Sequence, residues 1–147
     1  MVSSEDLRAR VEELRRACPG FLRDRTQHLS NGMRILDVSD ANPQTCGSFC
    51  SRKSGSTDIM GIMFHGTRKD CIGSICSNGI HTGSFTSSFQ YAANRSAYKD
   101  DCQNGGKEVK VLAVAVLVEE ASKLQSKDQN LRYPHYSLPL FVVTVQT

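Results

Sequence analysis

The sequence contains no run of about 18 apolar residues, so no segment is long enough to cross a membrane as a helix. Its opening stretch, "MVSSEDLRARVEELRR", is charged and has no apolar h-region, so no secretory signal is expected. The two common glycine-rich phosphate cradles, GxGxxG and GxxxxGK[ST], are missing. HExxH, GxSxG and paired CxxC motifs are missing as well. Charge of one sign is not in large excess either, because 18 Lys and Arg face 15 Asp and Glu, for a net charge of +3. Six of the cations (Arg8, Arg10, Arg15, Arg16, Arg23 and Arg25) sit in the first quarter of the chain. That pattern reads as a solvated helix face, with a weak preference for nucleic acid or acidic ligands as the alternative.

What is present is an ordinary globular composition. Hydrophobic residues make up 39% and charged residues 22% of 147 residues, which suits one domain with one core. Cysteine is plentiful: Cys18, Cys46, Cys50, Cys71, Cys76 and Cys102. Without a signal segment, reduced thiols in an intracellular protein (cytoplasm or nucleus) are expected. The Cys46–Cys50 and Cys71–Cys76 spacings do not match the usual zinc pairs, so most of these thiols read as small buried hydrophobes.

Residues 4–17 read as an amphipathic helix, with Leu7, Val11, Leu14 and Cys18 at helical spacing and Pro19-Gly20 as its stop. Met33–Val38 and Ile59–Phe64 read as strands, the second ending at His65. A short helix is expected over Asp70–Asn78, with Gly79 as its C-cap. "GSFTSS" is a short strand or turn, and Ser87 or Ser88 caps a helix carrying Phe89, Ala92, Ala93 and Ala97. A short helical piece is expected around Thr45–Cys50, and loops over Ser51–Asp58 and Asp101–Lys107. Val109–Val118 is apolar enough to be covered on both faces. Residues 119–132 look polar and irregular or partly helical, and Leu138–Val145 is a last strand. Strands with short, irregularly inserted helices mean an α+β fold with a mixed or antiparallel sheet.

The chemistry concentrates after the second strand. Gly66 permits close approach to the main chain, and its N–H and C=O suit a planar amide. His65 can bond a sugar hydroxyl, and Thr67 adds a hydroxyl of its own. Phe85 and Tyr91 offer stacking faces. Together these make a pocket for a planar carboxamide on a ribose. The competing reading is a structural histidine at a strand end.

"IMFHGTRKDCIGSICSNGI", followed by "GSFTSSFQYAANRSAY", resembles the catalytic core of the poly(ADP-ribose) polymerase family, ADP-ribosyltransferases of the diphtheria-toxin type. "MRILDVSDANPQTCGSF", "VKVLAVAVLV" and "LPLFVVTV" look like that family's upstream, central and final strands. The resemblance covers residues 33–147 and implies a split, strongly bent β-sheet pair around an NAD cleft, with residues 1–32 as an N-terminal helix and linker. It makes NAD the co-substrate and a macromolecule the acceptor. His65 would bond the nicotinamide ribose, the Gly66 main chain would hold the carboxamide, and Thr67 would lie toward the adenosine ribose. Phe85 stands at the family's stacking tyrosine. Tyr91 or Tyr98 supplies a second aromatic wall, Ser96 the carboxamide-binding serine, and His81 the basic group near the adenosine half.

The third signature position, a glutamate in polymerising members, falls on Leu140. A second register, matching "YPHY", puts His135 there instead. A leucine cannot polarise an attacking hydroxyl, so the resemblance implies mono-ADP-ribosyl transfer without chain elongation, or an inactive binding module on the same fold. Only His81 and Thr82 separate Ile80 from Gly83, so the loop that covers NAD in the family is nearly absent.

Overall fold

The computed structural model describes residues 4–27, 29–30, 32–44, 46, 60–78, 84–100, 107–117, 129–130 and 137–147. The expected loops over 51–58 and 101–106, most of the expected helical piece near Cys46, and Cys50, Gly79, His81, Cys102 and His135 lie outside them.

Helix α1 runs Ser4–Arg25. Leu7, Val11, Cys18 and Leu22 form one buried stripe along it. The expected stop at Pro19-Gly20 is therefore corrected: the helix passes through Pro19. A proline inside a helix loses a backbone hydrogen bond and costs about 3 kcal/mol. Burial offsets that cost here, because Cys18 and Leu22 continue the stripe on either side of it. Phe21 stacks on Phe64 with ring centroids 5.9 Å apart. Five carboxylates alternate with the six arginines of α1, and Arg15 bonds Asp40 at 2.7 Å, so this helix presents a mixed, solvated outer face.

The remaining elements are β1 (Arg34–Asp40), β2 (Met60–Gly66), a 3-10 turn (Lys69–Cys71) leading into α2 (Ile72–Asn78), and β3 (Ser84–Phe85). After these come α3 (Phe89–Lys99), β4 (Glu108–Leu117), β5 (Gln129–Asn130) and β6 (Ser137–Gln146). Ser88 caps α3, its hydroxyl accepting from the Tyr91 N–H. His65 lies inside β2 and not just beyond it, because the ladder continues through His65–Leu112 to Gly66–Val111.

Four strands form one antiparallel sheet in the order β1-β6-β4-β2. A two-stranded ribbon, β3-β5, joins its edge through a bridge between Phe64 and Thr86. The fold is α+β. Side chains alternate across the sheet, so each face has its own cover. Helices α1 and α3 cover one face, packing on Phe64, Val109, Val111, Ala113, Val143 and Val145, with Ala115, Leu138 and Leu140 under Leu7 and Val11. On the other face Ile72, Ile75 and Cys76 of α2, with Phe85, cover Met63, Leu112, Val114, Val116 and Val142. Both faces of β4 are buried, as its unbroken apolar run requires. Cys18, Cys46, Cys71 and Cys76 are free thiols.

Candidate functional site

The candidate site is the end of β2, an edge strand of the main sheet. Phe64 exchanges both main-chain hydrogen bonds with Thr86, at 2.8 and 3.0 Å. The main-chain groups of alternate residues on a strand point the same way. Gly66, two residues on, therefore turns its N–H and C=O to the same edge, level with Ser84 at the start of β3. Its carbonyl accepts a 2.8 Å bond from Lys99 Nζ.

Gly66 has no room for a side chain. A Cβ there would collide with the Ala92 carbonyl oxygen and lie 2.8 Å from Arg95 Cβ. The missing side chain thus lets α3 approach β2, and on that side of the strand the helix, not a ligand, fills the space beside Gly66. Thr67 is 5% exposed. Its N–H donates to Ser96 Oγ at 3.0 Å, and that hydroxyl donates onward to the Lys110 carbonyl at 2.6 Å. A serine hydroxyl has one proton. Ser96 therefore spends its only donor within the core and acts as a tie between the end of β2 and β4.

His65 and Phe85 come together on the α2 face. Their ring centroids are 5.4 Å apart and tilted by 35°. His65 is 4% exposed and Phe85 fully buried. The chain thus brings four of the expected residues (His65, Gly66, Thr67 and Phe85) to one strand end, with Ser96 behind them. Tyr91 is half-buried in the first turn of α3, on the other side of the sheet from Phe85. Tyr98 is 70% exposed on that helix, facing solvent and not a pocket.

Leu140 does not join this group. It is fully buried under Leu7 and Val11 of α1, on the opposite face from His65. The β4–β6 register shifts between Ala113 and Val114, leaving Leu140 as the extra residue. This bulge turns its side chain over. On the His65 face the residue in row is Val142, paired through Leu112. Leu140 and Val142 of β6 are both aliphatic and carry no proton-accepting group, while the other register's candidate, His135, lies outside the described residues.

Two polar residues near the site were not singled out by sequence pattern. Lys99 reaches the Gly66 carbonyl. Lys110, one row beyond Leu112, bonds Thr144 Oγ1 at 2.6 Å. The packing of α3 on β2 brings the first there, and the register of the strands the second. Among the described residues no group of three His, Cys, Asp or Glu side chains is arranged to hold a metal ion. Burial pushes the Cys18 thiol up to about 11, against a weaker downward pull from Arg15. Burial also raises Cys76. Neither thiol is poised as a nucleophile.

No protein-family model matches the chain, and no curated protein matches it significantly.

Proposed function

We propose that the chain is an NAD-dependent mono-ADP-ribosyltransferase, on a divergent fold of that class in which the main sheet and the β3–β5 ribbon are the two halves of a split core. The observation that carries this reading is the His65–Phe85 ring pair, 5.4 Å apart, at the end of an edge strand whose Gly66 main chain turns away from the sheet toward β3. A histidine, a main-chain amide and a stacked aromatic are the groups that a ribose bearing a planar carboxamide needs. His65 holds the ribose hydroxyl, and the Gly66 main chain orients the carboxamide. The bond between C1′ of the ribose and the nicotinamide nitrogen breaks, and its electron pair leaves with nicotinamide. A nucleophile of the acceptor forms the new bond to C1′ and gives up its proton to the acceptor's own base or to water. The protein contributes positioning. Leu140 and Val142 are aliphatic, so elongation of a chain, which needs a carboxylate on the attacking ribose, is not supported.

A second reading, a non-catalytic binding module on the same fold, is favoured by three specific contacts. Phe85 is fully buried, the Ser96 proton is bonded to Lys110, and the Gly66 carbonyl already holds Lys99.

The experiment is incubation with labelled NAD and candidate protein and nucleic-acid acceptors, beside His65→Gln, which keeps the volume of the buried ring. The transferase reading expects label on an acceptor and about a tenfold loss in the variant, the effect of one substrate hydrogen bond worth about 1.4 kcal/mol. Saturable NAD binding with no label transferred would favour the binding module.

A further inference from the structure

We propose that the flank of α3 beside Gly66 is a docking surface for single-stranded nucleic acid. Residues 66–69 and the last turns of α3 run side by side. Lys99 Nζ holds the Gly66 carbonyl at 2.8 Å, and the Lys69 N–H donates to the Asp100 carboxylate at 3.1 Å. On α3 the buried side is Phe89, Ala92, Ala93, Ser96 and Ala97. Tyr91, Arg95, Tyr98 and Lys99, at i, i+4, i+7 and i+8, share the flank next to it. Two aromatic rings and two cations therefore alternate along one stripe, and Arg68 and Lys69 extend it past the end of β2.

Tyr98 is 70% exposed, while the other aromatic side chains described on this helix are buried or half-buried. Among the described residues, four cations (Arg68, Lys69, Arg95 and Lys99) stand against two carboxylates, Asp70 and Asp100. Asp100 is tied to the Lys69 main chain. Asp70 pairs with Arg68 at 2.9 Å, with both side chains more than half exposed, so a phosphate can replace it at little cost. An open aromatic ring among cations binds a strand whose bases are free to stack and whose phosphates are regularly spaced. An acidic peptide would use the cations and leave Tyr98 without a partner. A duplex keeps its bases stacked on one another. The surface needs no NAD, so it stands or falls separately from the transferase reading. A strand seated on it would run up to the rim of the candidate site.

The test is fluorescence anisotropy of the full chain at low salt with labelled RNA and DNA single strands about a dozen nucleotides long. Duplex DNA and poly-glutamate of equal charge serve as comparators. Single strands should bind saturably and more tightly than either comparator. Tyr98→Ala, at an exposed position, should weaken binding about tenfold and leave its salt dependence unchanged. The double variant Arg68→Ala with Lys99→Ala should lower the slope of log K against log salt by about two, one for each lost phosphate contact. No binding, equal binding of poly-glutamate, or wild-type affinity in Tyr98→Ala would overturn the proposal.

Discussion

Three consecutive residues at the end of β2 are each held by a different neighbour: His65 by Phe85, Gly66 by α3, and Thr67 by Ser96. Gly66→Ala puts a methyl group against a backbone carbonyl, which cannot rotate away. Overpacking of this kind costs about 1–3 kcal/mol and should appear as a lower urea midpoint. Gly61→Ala, in the same strand with open space around its Cβ, should cost nothing comparable. Ser96→Ala strands the Thr67 N–H and the Lys110 carbonyl in the core, and each unsatisfied group costs about 1–3 kcal/mol. Cys18 gives a pH signature. Its folded pKa, about 11, lies above its ordinary value, so its contribution is full below pH 9 and is lost as pH climbs toward 11. Cys18→Ala should flatten that alkaline fall in thermal melts. The His-Gly-Thr cluster was legible in the sequence because its residue types carry chemistry. The use of Gly66 was not, since a glycine can admit a ligand or a helix and only the α3 contact decides. Leu140 was misplaced for a similar local reason. Strict alternation puts it on the same face as Val142, and the bulge turns it away.

At the scale of elements, the strands were legible from composition. Val109–Val118 and Leu138–Val145 are apolar runs of strand length, and β4 and β6 occupy nearly those bounds. The extent of α1 was not legible. Pro19-Gly20 is a strong local stop, and it is overridden by the burial of Leu22 and the Phe21–Phe64 stack, which no local pattern announces. Pro19→Ala should therefore restore a helical hydrogen bond worth up to about 3 kcal/mol, less about 1 kcal/mol of added chain entropy in the unfolded state. A net rise in stability of about 1–2 kcal/mol is expected from chemical denaturation. Leu22→Ala, by contrast, should lose about 2–5 kcal/mol, because its side chain closes the core below the proline. If α1 frayed after Cys18, both substitutions would leave the midpoint unchanged.

At the scale of the whole molecule, one antiparallel sheet is clothed on both faces, and the edge strand β2 carries the candidate site where the ribbon β3-β5 ends. The α+β class follows from the spacing of strands and short helices. The order β1-β6-β4-β2 does not, because pairing partners far apart in sequence leave no mark in local periodicity. The same topology separates the expected aromatic walls, placing Phe85 on one face and the helix bearing Tyr91 and Tyr98 on the other. A flat ligand between them would have to sit across the edge at Gly66, where Lys99 now bonds the carbonyl. Lys99→Met should therefore strengthen binding of a carboxamide-bearing ligand several-fold if the two compete for that oxygen. The central claim is that this edge is an NAD site, and calorimetric titration of the full chain with NAD tests it most directly. The account predicts saturable heat with a dissociation constant at or below about 1 mM, weakened in His65→Gln. No heat from NAD or from ADP-ribose at millimolar concentration would contradict it and leave the edge of β2 without a ligand of this class.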